Sequence, residues 1–265
     1  MISIIVPCFN MGEYLSEAIE SVFSSFSEKF EIIIVNDGST EAETIALLNS
    51  FEGNSKIKIV HQENQGLASA RNVGVENSKG ELLFFLDADN IVLPEYPLLA
   101  IKEFLNNPRL GVAYGRPLFF GEVESVPRFQ TREFNFNSLL SGNFIDACAF
   151  IRKTAFNSVD GFSVDNRLQG WDDWDLWIKV YLANWDFKYI DKYCYKYRVR
   201  SNSMLGSSSS TRKKEMLQFI GEKYGFIIHE KYRQQFRLIY NLYKSPFLTF
   251  LKVIYHKYFL KRTIY

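Results

Sequence analysis

The segment GELLFFLDADNIVLPE, residues 80–95, places two aspartates directly after an uninterrupted apolar run. A run such as residues 82–86, without alternation, is typical of a strand buried on both faces of a parallel sheet. Asp87 and Asp89 follow where such a strand should surface. The segment therefore predicts a buried strand that delivers two carboxylates to the rim of a sheet.

Similar apolar runs alternate with helical patterns through the first 115 residues. This alternation is typical of an α/β fold with a doubly wound, mostly parallel, Rossmann-like sheet. Ligands of such sheets bind at the carboxyl ends of the strands, where the polar clusters NDGST, QENQG and DADN fall. The expected strands cover residues 2–6, 30–35, 56–61, 81–86 and 110–115, and the expected helices cover about 12–25, 40–51, 67–78 and 94–107.

Two of these helices begin with the spacing of a capping box, in which a polar cap and an acid three residues later satisfy backbone donors. Asn10 with Glu13 predicts the first box, and Thr40 with Glu43 predicts the second. Pro94 predicts the start of a further helix, since proline is tolerated in the first turn.

After residue 116 the pattern becomes less regular. We expect a domain over 1–205, with halves 1–115 and 116–205, followed by a helical carboxyl-terminal extension over 206–265. The Ser-rich segment 201–210 is interpreted as a mobile loop. Further expected elements are irregular strands over 117–134, strands over 144–151, 186–190 and 193–199, and helices over 135–141, 171–183, 211–226, 229–243 and 247–260.

Composition limits the class of protein. The 265 residues carry a net charge of +1, which gives no reason to expect a nucleic-acid partner. Three scattered cysteines suit a reducing cytoplasm better than a disulfide framework. We find neither a basic leader with an apolar run nor a stretch of about 18 apolar residues, so we expect a cytoplasmic chain without a signal peptide or transmembrane helix.

Asp87 and Asp89 can share one divalent cation, and hard oxygen ligands select Mg²⁺ or Mn²⁺. An ion with so few protein ligands usually bridges to substrate phosphates. The structural alternative is an Asx-turn with a helix cap before Pro94. Asp37 could accept hydrogen bonds from a base or ribose, with Gly38 allowing close backbone approach. Arg71 could meet a diphosphate or pair with a rim carboxylate, and the structural alternative is an ordinary surface arginine.

The stretch GWDDWDLW, residues 170–177, places three aspartates among three tryptophans. On a helix Asp172 and Asp175 share one face and Asp173 points elsewhere. Asp175 with Lys179 is most simply a solvated i,i+4 pair. A carboxylate beside indole rings tends to have a raised pKa, which suits a general base. The structural alternative is a set of helix N-terminal charges favoured by the macrodipole.

Taken together, IIVPCFN, IIIVNDGST, ENQGLASARNVG, LLFFLDADN and WDDWDLWIK resemble the family-2 inverting glycosyltransferases of the GT-A fold, over roughly residues 1–200. The resemblance implies a nucleotide-sugar donor, usually a UDP-sugar, a glycan or lipid-linked hydroxyl acceptor, and Mn²⁺ or Mg²⁺. It also implies bacterial surface polysaccharide synthesis as the setting. Neither the sugar nor the acceptor can be identified from the motifs.

The resemblance also implies roles for single residues. Asp89 would ligate the metal, Asp87 would hold the ribose or the ion's waters, and Asp173 would be the base, next to Asp172, where the usual residue is Glu. The remaining implied donor contacts are Pro7, Asn10, Asp37 and Arg71. Arg200 stands where many relatives have a metal-ligating His, so either the ion has one protein ligand fewer or Arg200 meets the diphosphate.

Two rival functions and the role of the tail stay open. LDADNI resembles the opening motif of haloacid-dehalogenase-type phosphatases, with Asp87 as nucleophile, and a non-catalytic sugar-nucleotide-binding module is the second rival. Residues 211–265 hold 12 Lys and Arg against 3 Asp and Glu. Their last helix could lie on an anionic inner membrane surface, or it could pack on the catalytic domain or in a dimer.

Overall fold

A computed structural model describes residues 1–27, 29–122, 129–200 and 210–258. The chain forms two compact units, Met1–Lys213 and Lys214–Tyr265. The first unit contains an eight-stranded sheet in the order β3-β2-β1-β4-β7-β6-β8-β5. The expected α/β class is confirmed, and the sheet is mixed rather than parallel throughout.

The amino-terminal part of the sheet is wholly parallel. Strand β1 pairs in parallel with β2 on one side and with β4 on the other, and β2 pairs in parallel with β3. Their carboxyl ends therefore meet at one edge, as the sequence predicts. The elements up to that point are β1 (Ile2–Cys8), α1 (Gly12–Ser25), β2 (Phe30–Asp37), α2 (Ala42–Ser50), β3 (Ile57–Gln62), α3 (Leu67–Glu76) and β4 (Leu82–Phe85).

The second part of the sheet reverses direction. Strand β7 is antiparallel to both β4 and β6, whereas β6 and β8 run in parallel, and β5 pairs antiparallel with β8. This arrangement carries the end of β8 back to residues 87–90, which we call the aspartate turn. The elements are β5 (Ile91–Val92), α4 (Glu95–Asn106), β6 (Leu110–Gly121), α5 (Phe136–Ser141), β7 (Phe150–Arg152), α6 (Lys153–Asn157), a 3₁₀ turn (Asn166–Leu168), α7 (Asp172–Leu182) and β8 (Asp186–Val199).

Several expected elements have different bounds. The strand expected over 144–151 is limited to β7, and the two strands expected between 186 and 199 are one strand, β8. β6 continues as one strand to Gly121, into the region where irregular strands were expected, and its pairing with β8 shifts register near Leu110 and on both sides of Arg116. Residues 123–128 of that region, and residues 201–209 of the mobile loop expected over 201–210, lie outside the described residues.

Both predicted capping boxes are wrong. Helix α1 begins after Met11 and helix α2 after Glu41, and neither cap residue uses its side chain to cap a backbone amide of the first turn. The Asn10 side chain instead accepts hydrogen bonds from the backbone amides of Thr40 and Glu41, at 2.8 and 3.1 Å. Capping spacing cannot distinguish a local cap from a bond between neighbouring loops, and here Asn10 joins the ends of β1 and β2.

An aromatic cluster lies beneath the aspartate turn. The rings of Phe84 and Phe150 stack at 4.5 Å across the β4–β7 pair, and Tyr96 packs edge-on against both. The Tyr96 hydroxyl lies within hydrogen-bond distance of the backbone carbonyls of Ala113 and Cys148, either of which can accept its proton. Each such buried ring contributes roughly 1.5–3 kcal/mol relative to exposure. The strand that ends in the two aspartates is therefore firmly anchored.

The second unit is helical, with α8 (Ser210–Lys244) followed by α9 (Pro246–Tyr258). The break expected between residues 226 and 229 is absent, because α8 runs through it without interruption. Among the helices described, none combines the length and the apolar character needed to cross a membrane.

Candidate functional site

A cavity of about 420 Å³ opens at the carboxyl ends of β1, β2 and β4 and extends to the start of α7. Its wall brings together residues far apart in the chain. The charged side chains that line it include Asp37, Arg71, Asp87, Asp89, Asp146, Asp172, Asp173, Arg198 and Arg200. The rim that the sequence predicts as a binding edge is therefore a pocket with converging charges.

Arg71 lies at the centre of one charge cluster. It is 3% exposed, and its guanidinium donates to Asp87 Oδ1 at 2.7 Å and to Asp172 Oδ2 at 2.6 Å. Burial alone would lower the pKa of Arg71, but Asp87 and Asp172 outweigh burial and raise the pKa above its usual range. Of the roles that the sequence allows for Arg71, pairing with a rim carboxylate is what the structure shows, and its burial excludes an ordinary surface arginine. A contact with donor phosphates stays a prediction.

The aspartate turn is fixed from two sides. The Asn90 amide donates to the Asp87 carbonyl at 3.0 Å, which closes the turn. Arg198, near the end of β8, donates from Nε to the Asp89 carbonyl at 3.1 Å, and its backbone amide donates to Asn90 Oδ1 at 3.0 Å. The Arg198 side chain also pairs with Glu17 of α1. These contacts orient both aspartate side chains toward the cavity.

Arg200 holds the second aspartate directly. Its Nη2 lies 2.8 Å from Asp89 Oδ2, and both side chains are about 15% exposed. Burial raises the pKa of Asp89 and the nearby Asp87 charge raises it further, while Arg200 opposes both effects. Sequence reasoning places Arg200 near the donor or the ion, but it does not anticipate this ion pair.

Asp37 is fully engaged by the loop that follows β3. Its Oδ1 accepts from Gln62 Nε2 at 2.7 Å and from the Gln65 amide at 2.8 Å, and its Oδ2 accepts from the Gly66 amide at 2.9 Å. Gly38 has φ +74°, and a Cβ there would lie 2.8 Å from the Asn64 amide nitrogen. The close backbone approach predicted at Gly38 is therefore made by the chain's own loop. A contact of Asp37 with a base stays a prediction.

The two residues predicted from the first loop are placed differently. Pro7 lines the cavity at the end of β1. Asn10 has φ +53° and uses its side chain and amide to bind Ser39, Thr40 and Glu41. Among the described residues lining the cavity, Asn10 is absent. Its contribution to donor binding stays a prediction, and the structure shows that it joins two loops of the site.

Helix α7 carries three aspartates into different surroundings. Asp173 lines the cavity, and its Oδ1 accepts from the Trp174 amide at 2.8 Å. Burial, followed by the charges of Asp172 and Asp146, raises the pKa of Asp173 well above its usual range. Asp175 is fully buried and accepts from Ser163 Oγ at 2.6 Å, with Lys179 Nζ at 3.8 Å. The expectation of a solvated Asp175–Lys179 pair is therefore wrong.

Asp146 is a cavity residue that the sequence reasoning missed. Its Oδ1 accepts from the Cys148 amide at 2.9 Å. Burial, together with the charge of Asp87, raises the pKa of Asp146 to about 7. The pattern of FIDACAFI, residues 144–151, predicts a strand that includes Asp146. A single carboxylate within an apolar run is nevertheless a sign of a functional position, because a buried charge is costly without a partner.

The donor set fits a hard divalent ion of low protein coordination. Asp87 and Asp89 each have one carboxylate oxygen that is not in the arginine pairs described above. Over the described residues, no group of three or more His, Cys, Asp or Glu side chains could hold a metal on its own. Mg²⁺ characteristically binds through one or two carboxylates plus substrate phosphates. The site therefore suits an ion that arrives with a phosphate ligand.

Residues 3–160 match the model of the family described as Glycosyl transferase family 2. The chain belongs to that family. This membership confirms the resemblance seen in the sequence, supports a transferase enzyme, and leaves the phosphatase alternative without support. A curated relative is the chondroitin synthase of Pasteurella multocida, which is 26% identical over 217 residues, or 81% of this chain. The chain spans only 22% of that synthase's length.

Two solved structures share the fold. S. aureus TarS 1-349 in complex with UDP-GlcNAc aligns with a TM-score of 0.64 at 18% identity, over 85% of this chain and 73% of that one. The mannosyltransferase PcManGT of Pyrobaculum calidifontis, in complex with GDP-Man and Mn²⁺, aligns with a TM-score of 0.60 at 19% identity, over 76% and 58%. At such identities these likenesses show the GT-A fold.

Proposed function

We propose that the protein is a metal-dependent inverting glycosyltransferase that moves a sugar from a nucleoside-diphosphate donor to a hydroxyl group of a glycan or lipid-linked acceptor. The observation that carries this proposal is that the same cavity is lined by Asp87, Asp89, Arg71 and Asp173. We propose a UDP-sugar as donor and bacterial surface polysaccharide as the product. The TarS complex with UDP-GlcNAc and the similarity to a chondroitin synthase support these two points.

Asp173 is the proposed general base. An acceptor hydroxyl has a high pKa and must lose its proton as it attacks the anomeric carbon, and a positioned base contributes roughly 10²–10⁴-fold. The raised pKa of Asp173 makes it a better proton acceptor than an ordinary aspartate once it is ionised. Attack on the face opposite the leaving group inverts the anomeric centre.

The leaving diphosphate gains negative charge, which positive groups in the cavity must stabilise. Asp89 and Asp87 would hold Mn²⁺ or Mg²⁺, which supplies Lewis-acid stabilisation of the leaving phosphate. Arg200 would add a second positive charge at the same end. Arg71 holds Asp87 and Asp172 in place through two ion pairs. These pairs also fix its guanidinium, so their positions decide whether Arg71 itself contacts the diphosphate.

A donor screen by thermal shift tests the proposal. A nucleoside diphosphate or nucleotide sugar that binds the folded chain together with Mn²⁺ should raise the melting temperature, because ligand binding stabilises the folded state. The expected result is a shift with Mn²⁺ that is larger than the shift without it. If no such compound changes the melting temperature under either condition, the proposed function is wrong.

Asp173→Asn separates a transferase from a non-catalytic binding module. The variant keeps the size and most of the polarity of Asp173 but cannot accept the acceptor proton. We expect donor binding by thermal shift to be retained and sugar transfer to fall about 10²–10⁴-fold. Full function of this variant in cells would favour the binding-module alternative.

We also propose that the carboxyl-terminal helices contact an anionic membrane surface, which places the enzyme on the inner face of a membrane near a lipid-linked acceptor. Helix α9 exposes Phe247, Leu248, Phe250, Leu251 and Tyr255. After Glu230 the sequence contains eight Lys and Arg residues and no acid. Apolar side chains with basic neighbours match the chemistry of an anionic bilayer surface.

Vesicle co-sedimentation tests this contact. The full chain should bind vesicles containing phosphatidylserine, bind less at high salt, and bind little to neutral phosphatidylcholine vesicles. The triple variant Phe247→Ser, Phe250→Ser, Leu251→Ser should lose binding while the first unit keeps its donor-induced thermal shift. Failure to bind either vesicle, or a concentration-dependent dimer that the triple variant abolishes, would overturn the membrane proposal.

A further inference from the structure

The two aspartates of the aspartate turn pair with two arginines that differ in burial and in their number of partners. Arg71 is 3% exposed and is shared between Asp87 and Asp172. Arg200 has a single carboxylate partner among the described ion pairs, Asp89, and its side chain is 16% exposed. Arg71 is therefore fixed by two carboxylates, whereas Arg200 can leave by breaking one ion pair.

Asp89 cannot serve Arg200 and a divalent ion equally well. Arg200 Nη2 lies 2.8 Å from Asp89 Oδ2, and a divalent ion at this turn would be held by the same carboxylate. A divalent ion held by either Asp89 oxygen, including Oδ1, which lies outside the pair, would share the single negative charge of this carboxylate with the Arg200 guanidinium, and two cations beside one part-buried carboxylate repel each other. The divalent ion and Arg200 therefore compete for Asp89.

Arg200 also has unused hydrogen-bonding capacity. Its Nε is buried and has no hydrogen-bond partner within the described part of the chain. Its guanidinium carbon lies 5.3 Å from the centre of the Tyr14 ring, which provides a second favourable contact besides Asp89. A planar guanidinium with a free donor is well suited to a diphosphate.

We propose that Arg200 is a built-in counter-cation for Asp89, which releases that carboxylate to the divalent ion when a nucleoside diphosphate binds the guanidinium. This inference rests on the proposed function. Metal and nucleotide should therefore bind cooperatively, because either ligand alone must break the Arg200–Asp89 ion pair, whereas together they give each member of the pair a new partner. In the absence of nucleotide, the site would be protected against occupation by free metal ions.

Mn²⁺ titration with and without UDP, followed by the paramagnetic resonance signal of free Mn²⁺, tests the competition. Arg200→Ala and Arg200→Gln should bind Mn²⁺ without UDP about tenfold or more tightly than the native chain. The interaction between two close charges is typically large enough to change a dissociation constant by about that factor. With UDP present, the native chain should gain much more Mn²⁺ affinity than either variant. Arg116→Ala, which breaks an arginine–aspartate pair outside the cavity, should behave as the native chain does.

The outcomes separate this inference from the proposed function. Equal Mn²⁺ affinity of the native chain and both Arg200 variants without UDP, with UDP still binding to all of them, overturns only the role of Arg200. Absence of UDP binding in every protein, with or without Mn²⁺, overturns the proposed function instead. A melting curve for each variant, and agreement between Ala and Gln, distinguish loss of the competing charge from loss of folding.

Discussion

Arg71 and Arg200 hold neighbouring aspartates of the same turn, but they come from opposite parts of the fold. Arg71 belongs to α3 in the parallel half, and Arg200 follows β8, which closes the mixed half. Arg71 pairs with Asp87 and Asp172 and so joins the turn after β4 to α7, whereas Arg200 pairs with Asp89 in the wall of the cavity.

The difference in burial between Arg71 and Arg200 indicates that the two arginines have different roles. A buried charge that loses its partner is strongly destabilising, whereas a charge near the surface can be solvated by water. Arg71 can therefore serve as a permanent structural cation, and Arg200 can exchange partners during binding. Measurements that separate stability from ligand binding should distinguish the two arginines.

The largest expected effect is on the stability of Arg71→Ala. This change leaves Asp87 and Asp172 without their cation, and removal of one partner from a buried ion pair typically costs about 3–5 kcal/mol. Arg200→Ala should cost less than that, because it breaks one ion pair whose side chains are about 15% exposed. Denaturant unfolding of the two variants beside the native chain measures both values.

Arg71→Lys is the matched control, since lysine keeps the charge but cannot bind two carboxylates through a planar fork. We expect an intermediate loss of stability. Equal losses for Arg71→Ala and Arg200→Ala would contradict the division into a structural and an exchangeable arginine.

The second expected effect is a pH dependence that comes from Asp146, a carboxylate with neither arginine as an ion-pair partner among the described contacts. Its pKa is raised to about 7 by burial and by Asp87, against about 3.9 in the unfolded chain. Between those values the folded state binds more protons than the unfolded state. The free energy of unfolding should therefore fall as the pH rises from about 4 to about 7.

Asp146→Asn removes this titration and should flatten part of the dependence, which melting temperatures between pH 4 and pH 8 would show. Asp173 keeps a dependence of the same sign, because its pKa is also raised. A fall for Asp146→Asn that is as steep as that of the native chain would mean that Asp146 does not hold a proton in the folded state.

The same contrast between the two halves explains what the sequence could predict. Uninterrupted apolar runs identified β1, β2 and β4, and the rule that parallel strands end at one edge placed Asp37 and Asp87 together. The partner of Arg71 on α7 lies 101 residues away in the chain, and spacing within one segment carries no information on such a contact. The GT-A resemblance brought the two segments into one site.

In the mixed half, local patterns were ambiguous. The run 144–151 contains few charges and is typical of one strand. Only its last residues belong to β7, which pairs with β4 and β6. Asp146, earlier in the run, lines the cavity instead. The i,i+4 spacing of Asp175 and Lys179 is identical for an exposed and a buried pair. Burial of Asp175 depends on Ser163 and on the packing of the whole domain, which no short window encodes.

The smallest expected effect concerns a third arginine–aspartate pair, Arg116 with Asp191, which provides a baseline for the first two. Arg116 Nε lies 3.2 Å from Asp191 Oδ1, but the two side chains are 41% and 72% exposed. Solvent screening and side-chain entropy leave such pairs worth about 0–1 kcal/mol. Asp191→Asn should therefore change the unfolding free energy by less than either Arg71→Ala or Arg200→Ala. If it costs as much as Arg200→Ala, then the Arg200 pair contributes no more than an ordinary surface contact, and its expected effect on Mn²⁺ affinity would have to come from charge alone.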